Sequence, residues 1–380
     1  MNSRLALLLL ALVVMFPTNG SVGIAQKTKE ETHSYTRWEQ SDDGLRRRIE
    51  MRGKAEFNDE YTDVINISQG GYIRFEEERD SQSRRYEVRR DVGGQLTRSY
   101  YLNGKAKTID AEAKKWLAAL VLDAVRQGGF DAERRVQTIL RHQGVAGVLR
   151  EIDQIKGDYA KRVYFEALIK NANLDTAALQ DMLRQAAHQI SSDYEQAQLL
   201  LGVAPQLVAK ESAIGAFFEA VATIKSDYEH SRVLTALLKN NPPTRALLTQ
   251  VANSTRSISS DYEKAEVLKR AAAVYLDEPA LRITFFQTID SIKSDYERRG
   301  VLTVMLKIKD LSAGVMMSLL ESAASITSDY EKADFLMQAS TAYTGDANLK
   351  SAFLKVVETI KSEYERGRVL SALLKNKQIG

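Results

Sequence analysis

The sequence contains no cysteine, and only five of its 380 residues are proline. Without cysteine the chain cannot form disulfides, thiolate metal sites or a cysteine nucleophile. The low proline content favours long helices, because proline removes a backbone donor and clashes with the preceding turn of a helix. We therefore expect a largely helical protein that is stabilised by its hydrophobic core.

Motifs for catalysis and cofactor binding are also missing. The chain has four histidines, and no two of them form the H-E-x-x-H zinc motif. There is no G-x-S-x-G nucleophile elbow and no phosphate-binding loop after a strand. The Gly70-Gly71 and Gly93-Gly94 pairs are interpreted as hairpin turns. We predict a protein that is not an enzyme and that has no cofactor and no metal.

Neither sign of charge is in excess, since 53 basic and 50 acidic residues give a net charge of +3. These residues are spread along the whole chain, whereas a nucleic-acid-binding protein concentrates its basic residues on one face. No nucleic-acid partner is therefore expected. After the N-terminal segment no stretch is apolar for long enough to cross a bilayer, so we predict no membrane span in the mature chain.

Residues 1–25 have the pattern of a secretory signal peptide. Arg4 supplies the positive charge, Leu5 to Phe16 is the apolar segment, and Ala25 completes a small-residue cleavage site. The apolar segment is shorter than the roughly 20 residues that cross a bilayer. We expect cleavage after Ala25 and a periplasmic or secreted protein, with an uncleaved N-terminal anchor as the alternative.

Residues 26–109 are predicted to form a small antiparallel β-sheet domain. After a polar, flexible lead-in from Gln26 to His33, apolar and polar residues alternate with a period of two, which is typical of strands with one buried face. Glycine, asparagine and aspartate separate these runs, as they do in hairpin turns. We expect six or seven strands with one polar face, followed by a connecting helix over residues 110–130 that packs on the apolar face.

The dominant signal is a tandem repeat in residues 131–380. The string I-K-S-D-Y-E begins at Ile224, and near-copies begin at Ile155, Ile190, Ile258, Ile292, Ile326 and Ile360. The acidic residue of the motif recurs after 35 residues once, from Asp158 to Asp193, and after 34 residues from there on. A fixed period of this length predicts stacked helix pairs. The fold class is therefore mainly α: a right-handed α-solenoid of about seven 34-residue helix pairs after the β domain.

Each repeat is predicted to open its first helix with a capping box, in which serine and the glutamate three residues later bind each other's backbone N–H. The predicted pairs are Ser192/Glu195, Ser226/Glu229, Ser260/Glu263, Ser294/Glu297, Ser328/Glu331 and Ser362/Glu365. The first repeat lacks the pair, with Gly157 and Ala160 in its place. The aspartate and tyrosine after the serine recur in nearly every repeat, so we expect them to bond to and pack against the adjacent repeat. The alternative is that these carboxylates and phenols line one groove that binds a peptide or a glycan.

Successive repeats alternate between two forms. One form has His or Arg after I-K-S-D-Y-E, and the other has Lys or Gln followed by Ala after I-(S/T)-S-D-Y-E. Because stacking needs the constant positions, charges at the variable positions are the candidate partner-binding residues, and we expect them to be exposed. They are His230, Arg232, Lys264, Glu266, Arg298, Arg299, Asp334 and Arg366.

The repeat length equals that of the tetratricopeptide motif, but the Leu-Gly pair of that motif is absent. The array is more similar to HEAT/armadillo-type solenoids. Its S-D-Y-E-x3-(V/L/F)-L pattern after a β-rich segment also resembles the C-terminal extracytoplasmic region of some bacterial membrane metallopeptidases of the β-lactam-sensor type, over about Leu45 to Gly380. The membrane spans and the zinc motif of those enzymes are missing, so the resemblance implies a non-catalytic protein of the bacterial cell envelope.

Two functions fit these observations. The first is an interaction or scaffold protein that binds another envelope or secreted protein on the solenoid surface. The alternative is a ligand-sensing or substrate-binding accessory protein whose β domain holds a small molecule or a cell-wall fragment.

Overall fold

The computed structural model of the protein describes residues 26–30, 33–42, 44–207, 209–240, 244–277, 279–341 and 346–378. The predicted signal peptide lies outside these ranges. Within them the chain is mainly helical, with 15 α-helices after an N-terminal antiparallel sheet. The chain divides into two compact units, one of residues up to Thr138 together with Ile155–Ala160, and one of Ile139–Gln154 together with the residues from Lys161 onward.

The described part of the first unit contains nine strands. They are β1 (Gln26–Glu30), β2 (His33–Asp42), β3 (Leu45–Arg52), β4 (Ala55–Phe57), β5 (Val64–Ile67), β6 (Tyr72–Arg79), β7 (Gln82–Arg90), β8 (Leu96–Leu102) and β9 (Lys105–Lys107). Seven form one antiparallel sheet in the order β1-β2-β3-β6-β7-β8-β9, and β4 pairs with β5.

The predicted flexible lead-in from Gln26 to His33 is wrong, because this segment contains a strand. β1 pairs with β2 along its whole length, with Gln26 opposite Arg37 and Glu30 opposite His33. An edge strand is held by backbone hydrogen bonds to a single neighbour, and charged residues are common at such edges. Its polar composition therefore gave no alternating signal from which it could be recognised.

One face of the seven-stranded sheet is covered by α1 (Ala111–Gly128). Trp38 and Phe75 of the sheet share a core with Leu117 of this helix. The helix ends at Gly129, whose φ of 68° is a left-handed conformation that glycine adopts without strain. The connecting helix that was predicted over residues 110–130 is thus present, and it packs on the apolar face of the sheet.

The opposite face of the sheet is a ladder of ion pairs between neighbouring strands. Arg48 pairs with Glu39 at 2.6 Å and with Glu76 at 3.4 Å. Farther along the strands, Arg74 pairs with Glu87 at 2.8 Å. This is the polar face that the alternating sequence predicted.

From α3 onward the helices come in pairs, one pair to each repeat, except that α15 is the last described helix and has no second helix after it in the described ranges. The helices after α1 are α2 (Ala132–Ile152), α3 (Asp158–Asn171), α4 (Thr176–Gln189), α5 (Asp193–Val203), α6 (Ile214–Val221), α7 (Asp227–Asn240), α8 (Arg245–Ser257), α9 (Asp261–Asp277), α10 (Pro279–Asp290), α11 (Asp295–Leu306), α12 (Ala313–Ala324), α13 (Asp329–Ala339), α14 (Ala347–Glu358) and α15 (Glu363–Gln378). The first helix of a repeat begins at the motif aspartate, or at the glutamate that replaces it in α15.

The helices of the second unit form two sets. The first helices α5, α7, α9, α11, α13 and α15 each contact the next member of their set, and the second helices α4, α6, α8, α10, α12 and α14 do the same. A continuous core between the sets extends from Leu248 to Leu373. Each repeat therefore buries its apolar residues largely against its neighbours, as tandem helix pairs do.

Candidate functional site

The constant residues of the repeat lie together where its first helix begins. The cap serine has an extended backbone conformation and accepts a hydrogen bond from the N–H of the glutamate three residues later, at 3.3 to 3.4 Å. The same bond is present in each of the six predicted pairs: Ser192–Glu195, Ser226–Glu229, Ser260–Glu263, Ser294–Glu297, Ser328–Glu331 and Ser362–Glu365.

The aspartate after the cap serine binds the next repeat. The carboxylate of Asp227 accepts from the N–H of Ser259 at 3.0 Å and from the N–H of Ser260 at 2.7 Å. Equivalent bonds of 2.7 to 3.2 Å join Asp193 to Lys225 and Ser226, Asp261 to Lys293 and Ser294, Asp295 to Thr327 and Ser328, and Asp329 to Lys361 and Ser362. The aspartate thus links five successive pairs of repeats through backbone groups.

The glutamate has a different role from the one that a complete capping box requires. In the five repeats from Ser226 onward, the N–H of the cap serine already donates to the aspartate of the preceding repeat. Four glutamate carboxylates instead bind a side chain of the preceding repeat: Glu195 with Arg162, Glu263 with Ser231, Glu297 with Lys269, and Glu331 with Arg299. The motif therefore joins repeats in both directions along the chain.

These contacts favour the ionised form of two of the aspartates. Burial alone would raise the pKa of Asp295, but hydrogen bonds from the Thr327 hydroxyl and from the backbone of Ser328 and Thr327 outweigh it and lower the pKa. The N–H of Ser362 is the main reason why the pKa of Asp329 is lowered. Protonation of either carboxylate therefore opposes its contact with the next repeat.

The tyrosine beside the aspartate is exposed in every repeat of the second unit. The exposed fractions are 52% for Tyr194, 59% for Tyr228, 57% for Tyr262, 61% for Tyr296, 55% for Tyr330 and 75% for Tyr364. The hydroxyls of these six residues, which we call the tyrosine row, make no hydrogen bond within the described part of the chain. The expectation that the tyrosine ring is buried between repeats is therefore wrong, although two of the rings contact an arginine of the next repeat.

Arginines lie over three rings of the tyrosine row. The guanidinium carbon is 5.9 Å from the ring centroid for Arg232 over Tyr194, 5.1 Å for Arg299 over Tyr296, and 5.6 Å for Arg368 over Tyr330. Each of these arginines also pairs with a glutamate of the motif, at 2.6 to 2.7 Å. They hold the rings by cation–π contact, while their charge is balanced inside the array.

Three of the eight candidate partner-binding residues are buried, contrary to expectation. His230, Lys264 and Arg298 have exposed fractions of 5%, 5% and 8%. Lys264 and Arg298 reach the carbonyls of Ser291 at 3.4 Å and Ile292 at 3.1 Å, near the end of α10, where helix carbonyls lack partners. Burial lowers the pKa of His230 and of Lys264. These three side chains therefore lie inside the array and do not face a partner.

The other five candidates are partly buried and are paired within the chain. Arg232 pairs with Glu229 at 2.7 Å, Glu266 with Lys269 at 3.1 Å, Arg299 with Asp334 at 3.4 Å, and Arg366 donates to the carbonyl of Ile360 at 3.4 Å. The charged side chains that vary between repeats therefore pair largely with other groups of the same chain.

Helical spacing distinguishes the buried His230 from the exposed Tyr228. His230 precedes Leu234 by four residues and Leu237 by seven, so it lies on the apolar face of α7. Tyr228 is followed at the same offsets by Arg232 and Thr235, and it lies on the polar face. The tyrosine row was not chosen as the binding surface because residues that recur in every repeat were assigned to stacking between repeats.

The polar face of the β-sheet contains a small cavity of about 280 Å³. Its lining includes Arg48, Glu76, Arg85 and Tyr101. The guanidinium of Arg85 lies 4.1 Å from the ring centroid of Tyr101, and its buried Nε has no hydrogen-bond partner among the described residues. The volume is just below the range of about 300–1,000 Å³ that is usual for small-molecule sites.

Within the described ranges, no helix is long and apolar enough to cross a membrane, and no three His, Cys, Asp or Glu side chains are grouped so that they could hold a metal ion. Comparison with protein-family models, curated proteins and solved structures finds no match to this chain. Its function therefore has to be inferred from its own residues.

Proposed function

We propose that this chain is a non-catalytic binding or scaffold protein of the bacterial cell envelope, and that it holds a partner protein on its repeat surface. In this proposal the second unit is a right-handed α-solenoid of about seven helix pairs. The two sets of successively contacting helices and the bonds from each aspartate to the next repeat support that architecture. The N-terminal signal-peptide pattern supports export to the periplasm or beyond.

The tyrosine row is the observation that carries the proposal. Every other constant residue of the motif has a partner inside the array: the serine caps the helix, the aspartate binds the next repeat, and the glutamate pairs with a cation or a hydroxyl. In the six repeats of the second unit, the tyrosine alone recurs with most of its ring exposed and its hydroxyl unbonded in the described structure. Tyrosine contributes large contact areas at protein interfaces and is enriched at binding hot spots.

Capture from an envelope extract tests this function. The exported protein and a triple variant with Tyr228, Tyr262 and Tyr296 changed to alanine are used as baits, together with the control Ile283→Ala. Ile283 is 70% exposed and lies on a second helix, so the control removes an exposed apolar side chain outside the tyrosine row. We expect the triple variant to lose a partner that the control retains. Retention of every captured protein by a folded triple variant contradicts the proposal.

Ligand binding by the β domain is the alternative function, and the cavity beside Arg85 supports it. Thermal shift with soluble cell-wall fragments tests it, using Tyr101→Ala as the matched variant. A rise in Tm of the native chain that is absent from the variant favours this function. No shift with any fragment argues against it.

A further inference from the structure

The tyrosine row has a spacing that restricts what can lie along it. One tyrosine projects from the start of each first helix, and successive first helices are in contact. Packed helix axes are about 8–10 Å apart, so the rings recur at about this interval. A polyproline II segment has three residues per turn and a rise of about 3.1 Å per residue, so one of its faces recurs every ~9.3 Å. An extended β-strand repeats its face every ~6.7 Å, which does not match the interval between the tyrosine rings.

Lysines beside the row supply a second pattern, with twice the period. Lys225, Lys293 and Lys361 stand two residues before the acidic position of alternate repeats, and all three are exposed. Ser191, Ser259 and Thr327 occupy this position in the repeats between them. The side-chain ammonium groups of the three lysines make no ion pair with any described residue, unlike the arginines that cover the rings.

The lysines lie next to the rings because the inter-repeat bond places them there. The N–H of Lys225 donates to the carboxylate of Asp193, and Asp193 is followed directly by Tyr194. Lys293 is joined in the same way to Asp261, beside Tyr262. The surface therefore presents a phenol at each repeat and an unpaired positive charge at every second repeat.

We propose that the tyrosine row binds a proline-rich segment of a partner protein in the polyproline II conformation, with acidic side chains about six residues apart facing the three lysines. Aromatic side chains are the usual recognition surface for this helix, which loses little entropy on binding because it is already extended. The alternation of the two repeat forms then has a role, since it sets the spacing of the charges. This inference rests on the proposed function, and it specifies the partner segment.

Fluorescence anisotropy of the full chain with labelled synthetic peptides tests the inference. The probe is (Pro-Pro-Glu-Pro-Pro-Pro)3, which is about 56 Å long in this conformation. A flexible peptide of equal charge, (Gly-Ser-Glu-Gly-Ser-Gly)3, and the lysine version of the proline peptide serve as controls. We expect the acidic proline peptide to bind more tightly than either control, and its affinity to fall with increasing salt.

Two triple variants separate charge from general surface effects. Changing Lys225, Lys293 and Lys361 to glutamine should weaken binding roughly ten-fold, because each exposed ion pair contributes a factor of about 1.5 to 5. Changing the exposed Lys309, Lys350 and Lys355 to glutamine should leave binding unchanged. Far-UV circular dichroism and Tm are expected to be the same for both variants, since all six ammonium groups lack an ion pair within the described structure.

Equal binding of the flexible and the proline-rich acidic peptides overturns the inference, as does equal loss in the two lysine variants. A charged oligosaccharide that displaces the peptide and binds more tightly also overturns it, because the row would then be a glycan site. If envelope capture depends on the tyrosines but the proline peptide does not bind, the proposed function stands and this inference fails. If capture is also independent of the tyrosines, both fail.

Discussion

Replacing Asp227 should destabilise the array far more than replacing its neighbour Tyr228. The variant Asp227→Ala removes two hydrogen bonds, 3.0 and 2.7 Å long, from the carboxylate to the backbone of the next repeat. Bonds to charged groups contribute about 1.5–3 kcal/mol each, and the values for these partly exposed groups belong near the lower limit. The lost charge in the first turn of α7 adds about 0.3–1 kcal/mol. We expect a total cost of about 3–4 kcal/mol.

The adjacent variant Tyr228→Ala should cost at most about 1 kcal/mol. The ring is 59% exposed, so little apolar area returns to water, and alanine has the higher helix propensity. Asp227→Asn should lie between the two, because it keeps an acceptor oxygen and loses the charge.

Urea unfolding followed by far-UV circular dichroism measures the three variants against the native chain. Hydrogen exchange at the amides of Ser259 and Ser260 adds a local reading, and it should accelerate in the Asp227 variants alone. A Tyr228→Ala protein that is as unstable as Asp227→Ala, with unchanged exchange at those amides in the latter, refutes this account of how the repeats are joined.

Three further predictions follow from the same contacts. Burial lowers the pKa of His230, so as the pH falls the unfolded chain binds the proton before the folded chain does. The stability that neutral His230 gives above about pH 6.5 should therefore decline as pH falls through the folded pKa. The variant His230→Gln, which copies Gln196 of an earlier repeat, should remove this component from a pH series of Tm values. Arg298→Glu should lower the free energy of unfolding by about 3–5 kcal/mol, because it places a carboxylate among helix carbonyls. Chemical denaturation measures this, and an unchanged unfolding midpoint would contradict the burial of Arg298. Ser260→Ala should cost about 0.5–2 kcal/mol and Gly157→Ala much less in the same assay, because only the serine caps a helix; equal costs would show that the cap is unimportant.

The repeat motif shows why much of the fold was accessible from the sequence. Serine followed three residues later by glutamate marks a helix start, and the structure has a first helix after each such serine. The apolar spacing after Asp261, at Leu268 and Ala272, gives the buried face of α9. In the β domain, alternation and glycine turns indicated the strands, whereas the polar edge strand β1 gave no such signal.

The environment of each motif side chain was harder to predict than its element. The glutamate of the capping box was predicted to bind the N–H of its own cap serine, because the sequence does not show that Asp227 reaches Ser260 first. Lys264 was expected in solvent as a charged residue, although its offset of four from Leu268 places it on the apolar face. Local spacing determines the face of a helix, and only the packing of neighbouring repeats determines which polar groups end a helix or bridge to the next one.

The bond from the aspartate to the following cap makes the two ends of the array different. A repeat completes the helix start of its successor, and its own helix start is completed by its predecessor. Deleting a repeat from the carboxyl end would leave one carboxylate in water, whereas deleting one from the amino end would take the acceptor from two N–H groups of the next cap. During evolution, duplicated repeats should therefore be gained and lost more readily at the carboxyl end, where the carboxylate of the last repeat can accept from the start of an added helix.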